Sequence, residues 1–180
     1  MRTVVEASVE QLSQAFLEHP ANQALREHVA WGLLSEMELA QQSFRVLFSL
    51  ILLAWFDERQ MLRPAMTAAG LQDYESGLVF GALAAWSAAL AAEDTTAWPY
   101  LQARMQGFRY KPDWPYLGLF ILDAEAAYPE LTHATTHNAV WMRLLPALSP
   151  LAHCAYDELD ELQLAFLGRA VHIKRPKMIV

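Results

Sequence analysis

The run VLFSLILLAWF, residues 46–56, is apolar around the whole circumference of any helix that it forms. A helix that is apolar on every side is stable in water only when other elements surround it. The run is too short for a bilayer span, which needs roughly 20 apolar residues, and the charged residues Arg45 and Asp57 bound it. A capping-box pattern at residues 35–38 provides a helix start just before it. We therefore predict a central buried helix at about 36–59.

A second apolar run, LVFGALAAWSAALAA, occupies residues 78–92 between Glu75 and Glu93. We predict a second buried helix at about 73–92. Its small residues would allow close approach of neighbouring helices; they are Gly77, Gly81, Ala84, Ala85, Ala88 and Ala89. No convincing strand precedes residue 169. Two buried helices among amphipathic ones predict an all-α fold, a single globular bundle of about eight or nine helices.

Capping and stop signals predict where the helices of the N-terminal part begin and end. Ser8 starts a capping-box pattern, and Pro20 ends the apolar periodicity that follows it. Asn22 is a candidate N-cap for a second helix, and Gly32 is a candidate C-terminal stop for it.

The C-terminal part divides into a helical region and a basic tail. We predict one helix at about 134–145 and a last helix from Ser149 to Gly168. Residues 1–168 would form one all-helical domain, which carries all 20 acidic residues and a net charge of −11. Residues 169–180 form a short extended tail with four basic residues, a charge of +4.

Composition narrows the class of protein and its surroundings. Hydrophobic residues make up 54% of the 180 residues, enough for a substantial core, and only 18% are charged, so some apolar surface is expected at an interface. The acidic body disfavours nucleic-acid binding. A single cysteine, Cys154, and an N-terminus without a long apolar segment predict a cytoplasmic protein.

The sequence WPYL occurs twice, at residues 98–101 and 114–117, and each copy resembles a helix start with proline in the first turn. The surrounding segment is rich in aromatic and basic residues, the types enriched at binding hot spots. These residues either fill the core or form a partner-binding ledge, which we define as Trp98, Tyr100, Arg104, Phe108, Arg109, Tyr110, Lys111, Trp114 and Tyr116.

One histidine pair has a spacing typical of metal sites. His133 and His137 are four residues apart and would share one face of a helix, so they could bind one ion. Zinc proteases require glutamate after the first histidine, whereas this chain has Ala134 there. A metal site and a simple role at a helix end both remain open, and no cofactor is predicted.

The segment YDELDELQLAF, residues 156–166, has Leu159, Leu162 and Phe166 at helical spacing. Its acidic residues would then form one outer face of the last helix. This face is either simply solvated or a surface for a basic partner. Its members are Asp157, Glu158, Asp160 and Glu161.

The leading hypothesis is a cytoplasmic protein-binding module, an adaptor or an inhibitor or immunity-type protein, because no catalytic set is recognisable. The partner would be another protein, possibly one with a basic surface, and no membrane span is expected. One alternative is a metal- or small-molecule-binding helical enzyme that uses His133 and His137. Another is a structural subunit of a larger complex or a homo-oligomer.

Overall fold

A computed structural model of the chain describes residues 1–59, 62–64, 98, 102, 108–110 and 127–167. These residues are predominantly helical, which confirms the predicted helical character, but they contain six bounded α-helices and not eight or nine. The predicted helix at 73–92 and the tail at 169–180 lie outside the described residues. The helices are α1 (Arg2–Glu18), α2 (Gln23–Ala30), α3 (Glu36–Glu58), α4 (Pro129–Thr132), α5 (Asn138–Leu148) and α6 (Tyr156–Leu167), and a 3-10 helix spans Ser149–His153.

Helix α3 is the central element, as its all-round apolar run predicts. It packs against α1, α4, α6 and the 3-10 helix. The capping box at its start is present: the Ser35 N–H donates to Glu38 Oε2 (2.9 Å), and the Glu38 N–H donates to Ser35 Oγ (3.2 Å). Burial of its apolar residues on several sides supplies most of the driving force for this arrangement. The buried apolar residues of α3 are Leu39, Phe44, Val46, Leu47, Phe48, Leu50, Ile51, Leu52, Ala54 and Trp55.

The first helix begins earlier than its capping pattern predicts. Helix α1 begins at Arg2, so Ser8 lies inside it, and the Ser8 hydroxyl donates to the Val4 carbonyl (2.7 Å). A serine within a helix often makes this bond to the carbonyl four residues before it. The helix ends at Glu18, before Pro20, as the stop signal predicts.

Asn22 occupies the N-cap position of α2, but its side chain does not cap the helix. The Asn22 amide donates to the carbonyls of Phe16 (2.8 Å) and Thr135 (2.6 Å), and it accepts from the Thr135 N–H (2.9 Å). The side chain is buried. It therefore joins the end of α1 to a segment more than 100 residues away in the sequence.

The region after residue 130 has different helix boundaries from the predicted ones. Residues 133–137 are not helical, and α5 runs from Asn138 to Leu148. Ser149 and Pro150 begin the 3-10 helix, and the last α-helix begins only at Tyr156. Proline in a first turn suits either helix type, because its fixed φ fits both and the missing N–H costs nothing there.

Polar side chains of α3 connect it to the C-terminal region. The Arg45 guanidinium donates to the Ala127 carbonyl (2.9 Å), and the Gln42 amide oxygen accepts from the Glu130 N–H (3.0 Å). At the other end, Trp55 Nε1–H donates to the Cys154 carbonyl (3.0 Å). These bonds satisfy backbone groups of the irregular segments, which would be costly to bury without partners.

Two short strands pair outside the helices, contrary to the expectation of no strand before residue 169. Strand β1 (Leu62–Pro64) is antiparallel to β2 (Phe108–Tyr110), with Arg63 opposite Arg109. Aromatic residues favour extended backbone, and a proline is tolerated at the edge of a ladder. The contact joins the end of α3 to a distant part of the chain.

Candidate functional site

Trp98, the first residue of the predicted ledge, lies in the core and not on a surface. Its side chain is 0% exposed. The indole stacks on Trp141 with ring centroids 5.3 Å apart, and its edge meets Phe16 at 5.7 Å. Trp98 Nε1–H donates to the Leu131 carbonyl (2.9 Å). With all its area and its polar atom used inside the protein, Trp98 is unavailable to a partner.

The other ledge residues are described only in part. The backbone of residues 108–110 forms strand β2, which places this portion of the ledge beside β1. Their role in binding stays a prediction. Outside the described residues lie Tyr100, Arg104, Lys111, Trp114 and Tyr116.

Helix α6 has the amphipathic character that its sequence predicts. Leu159 and Leu162 are buried, and Phe166 stacks on Phe44 with centroids 4.4 Å apart. On the acidic face, Asp157, Glu158 and Glu161 are exposed and Asp160 is half-buried.

One member of that acidic face also has a structural role. Glu158 Oε2 accepts from the Ala155 N–H (2.7 Å) at the start of α6. Negative charge near a helix N-terminus is favourable, because the N–H groups there carry partial positive charge. Part of the acidity of α6 therefore stabilises the helix itself.

His133 and His137 do not share a helix face, so the basis of the predicted metal pair is wrong. His133 is the C-cap of α4, His137 is the N-cap of α5, and the residues between them are not helical. The His137 ring packs against the ring of buried His19, with centroids 4.4 Å apart. Both histidines lie at helix ends, and metal binding by them stays a prediction.

Within residues 1–59 and 127–167 and the short described pieces between them, no three His, Cys, Asp or Glu side chains come together as metal ligands would. Cys154 is buried, and burial raises the pKa of its thiol, with a smaller contribution from the carboxylate of Glu158. A raised pKa disfavours the thiolate, the reactive form. Cys154 is therefore a poor nucleophile.

The connection between α2 and α3 exposes three large apolar side chains. Trp31 and Leu33 are each 68% exposed, and Met37 is 72% exposed. We call these three residues the apolar corner. The neighbouring Leu34 is 5% exposed and belongs to the core. Single exposed apolar residues are ordinary, whereas large exposed apolar patches are typical of interaction sites.

The apolar corner is held by a glycine-terminated helix end. Gly32 has φ +72°, its N–H donates to the Val29 carbonyl (3.1 Å), and the Leu33 N–H donates to the His28 carbonyl (2.8 Å). This is the Schellman motif, in which the residue after the glycine usually packs back on its helix. Leu33 has that position, yet most of its side chain remains open to solvent.

Further bonds restrain the elements on both sides of the corner. His28 Nδ1 lies 3.0 Å from Glu130 Oε2, which ties α2 to α4. The capping box at Ser35 fixes the start of α3. These bonds restrain the elements on either side of the corner.

Acidic residues flank the apolar corner in the sequence. Residues 27–38 contain Glu27, Glu36 and Glu38 but no lysine or arginine. Glu27 lies one helical turn before Trp31, and the Ser35 N–H holds the Glu38 carboxylate just beyond the corner. That backbone bond, with the Ser35 hydroxyl, lowers the pKa of Glu38. The carboxylate is therefore charged at neutral pH.

Comparison with protein-family models, with curated proteins and with solved structures gives no match to this chain. Among the described helices, none combines the length and the apolar character that crossing a membrane requires.

Proposed function

We propose that the chain is a cytoplasmic protein-binding module, of the adaptor or inhibitor type, that acts by association. The single observation that carries this proposal is the apolar corner, in which Trp31, Leu33 and Met37 are exposed on a restrained turn. Tryptophan is among the residues most enriched at binding hot spots, and preorganised apolar side chains are typical anchors.

The charge distribution supports the same function. The net charge is −7, and the acidic residues of α6 are largely exposed. An acidic protein is drawn electrostatically toward a cationic partner, which raises the association rate at low salt. We expect the association rate to fall as ionic strength rises, because salt screens the attraction.

The aromatic ledge without Trp98 is a second proposed contact region. Its support is compositional: aromatic residues alternate with Arg104, Arg109 and Lys111 in an otherwise acidic chain. Such residues combine large contact area with charge that suits recognition.

Site-specific photo-crosslinking tests the proposed function. A photoreactive phenylalanine derivative would replace Leu33, and in a control protein it would replace exposed Ala147 on α5. We expect a protein adduct of defined mass from position 33 in cells of the native host, and none of that mass from position 147. If position 33 gives no adduct that position 147 lacks, the apolar corner is not an association surface and the proposal fails.

A further inference from the structure

The apolar corner and its acidic surroundings together define the partner's chemistry. We propose that the corner docks a protein segment in which lysine or arginine residues flank bulky apolar side chains, such as a basic amphipathic helix. This inference rests on the proposed function and specifies the partner of the same surface.

The apolar corner presents exposed apolar area in a fixed position. Trp31, Leu33 and Met37 all expose most of their surface, so an apolar partner could bury it. The Leu34 side chain is buried in the core, which anchors the turn. A partner side chain would thus bind a turn that keeps one conformation.

The glutamates near the corner determine which apolar partner is favoured. Glu27, Glu36 and Glu38 lie on both sides of the corner in the sequence, and residues 27–38 contain no lysine or arginine to offset them. The lysine or arginine nearest to the corner in the sequence is Arg26. Its guanidinium already donates to the carbonyls of Leu17, His19 and Pro20. Among the described residues the ion pairs do not involve Glu27, Glu36 or Glu38, so these carboxylates could meet cations on the partner.

The same charges disfavour other occupants. Two copies that met through this surface would bring glutamates against glutamates, and like charges in an interface are unfavourable. An anionic membrane surface would be repelled for the same reason. A basic, apolar protein segment satisfies both properties of the corner at once.

The test uses a short model peptide of leucine and lysine in an amphipathic helical pattern. One control peptide has glutamate in place of lysine, and another has the same composition in scrambled order. The readout is the indole N–H region of a ¹⁵N–¹H spectrum, since the chain has six tryptophans. Loss of one peak in a Trp31→Phe variant assigns Trp31, and calorimetry gives the affinity.

Two charge variants separate the corner from the rest of the acidic surface. The first is Glu27→Gln/Glu36→Gln/Glu38→Gln, in which glutamine can still complete the capping box. The second is Asp157→Asn/Asp160→Asn/Glu161→Gln on α6, which removes the same number of charges. Circular dichroism would check that both variants are folded.

We expect the leucine–lysine peptide to shift the Trp31 peak and the leucine–glutamate peptide to leave it unchanged. The corner charge variant should weaken binding at least about threefold, as loss of three charge pairs, two of them fully at the surface, implies. The α6 variant should bind nearly as tightly as the wild type. Trp31→Ser should weaken binding by about thirtyfold, the effect of losing a hot-spot residue.

Several outcomes would overturn the inference. Absent binding, equal binding of either control peptide, or a larger loss in the α6 variant than in the corner variant would do so. A Trp31 peak that moves with protein concentration alone would assign the corner to a second copy, and one that moves with phosphatidylserine vesicles would assign it to a membrane. If crosslinking at position 33 succeeds while the basic peptide fails, only the partner's chemistry is wrong.

Discussion

Replacing Asn22 should destabilise the protein far more than its place between two helices implies. Its buried amide makes three hydrogen bonds, one to Phe16 and two to Thr135. Two carbonyls accept from Nδ2 and one N–H donates to Oδ1, so the pattern fixes the orientation of the amide. Asn22→Ala removes all three bonds within the protein interior.

The expected cost follows from the number of bonds. Each intramolecular hydrogen bond contributes about 1 kcal/mol to stability, so Asn22→Ala should lower the free energy of unfolding by about 3 kcal/mol. Urea titration followed by circular dichroism would measure the loss. The matched control is Gln23→Ala, which removes one exposed bond to Glu27 and should cost under about 0.5 kcal/mol.

The variant Asn22→Asp provides a second test, of the hydrogen-bond pattern itself. The introduced carboxylate can still accept from the Thr135 N–H, but it faces the carbonyl oxygens of Phe16 and Thr135 without a proton to donate. Burial and these oxygens should raise its pKa, so its destabilising effect should shrink as pH falls from neutral and the protonated form gains a donor. A loss below about 1 kcal/mol for Asn22→Ala, or an Asn22→Asp variant as stable as the wild type, would refute the reasoning.

Four further predictions concern single positions. Trp98→Ala should lower the free energy of unfolding by about 3–5 kcal/mol in urea titrations, as expected of a core residue; a change below about 1 kcal/mol would return Trp98 to the surface. Gly32→Ala should cost about 1 kcal/mol from backbone strain alone, since a Cβ there meets nothing within 4 Å; an unchanged Tm would contradict this. Glu38 has a lowered pKa, so its contribution to stability is full above the ordinary carboxylate pKa and is lost as pH falls through the lowered value; Ser35→Ala should raise that pKa part of the way in an NMR titration, because the backbone bond remains. The buried amide atoms of Gln163 have no hydrogen-bond partner in the described structure, so Gln163→Leu should stabilise by about 1 kcal/mol in urea titrations, and destabilisation would show that the amide is satisfied.

Local signals predict the fold well where only one arrangement satisfies them. Residues 46–56 leave no polar face for solvent, so burial at the centre follows from their sequence. The capping box at Ser35 is likewise local, and it forms as predicted. The similar pattern at Ser8 misleads, because a serine inside a helix can bond back to a carbonyl of the preceding turn and needs no helix start.

The candidate site was less predictable, because exposure depends on tertiary packing. Trp31, Leu33 and Leu34 are all large and apolar, and only the turn at Gly32 decides that Leu34 enters the core. The composition around Trp98 suits an interface and a core equally well, and stacking on Trp141 places Trp98 itself in the core. The spacing of His133 and His137 has meaning for a metal only on a continuous helix, which the chain does not form there.

The bond between Asn22 and Thr135 has a consequence for how the chain is made. Helix α1 packs on both α3 and α5, so the core joins residues 2–18 to residues near position 145. Contacts so far apart in sequence form slowly, because a long loop must close first. Until α4, the 3-10 helix and α6 have emerged from the ribosome, the apolar surface of α3 has only part of its cover, and the nascent chain should depend on chaperones during that interval.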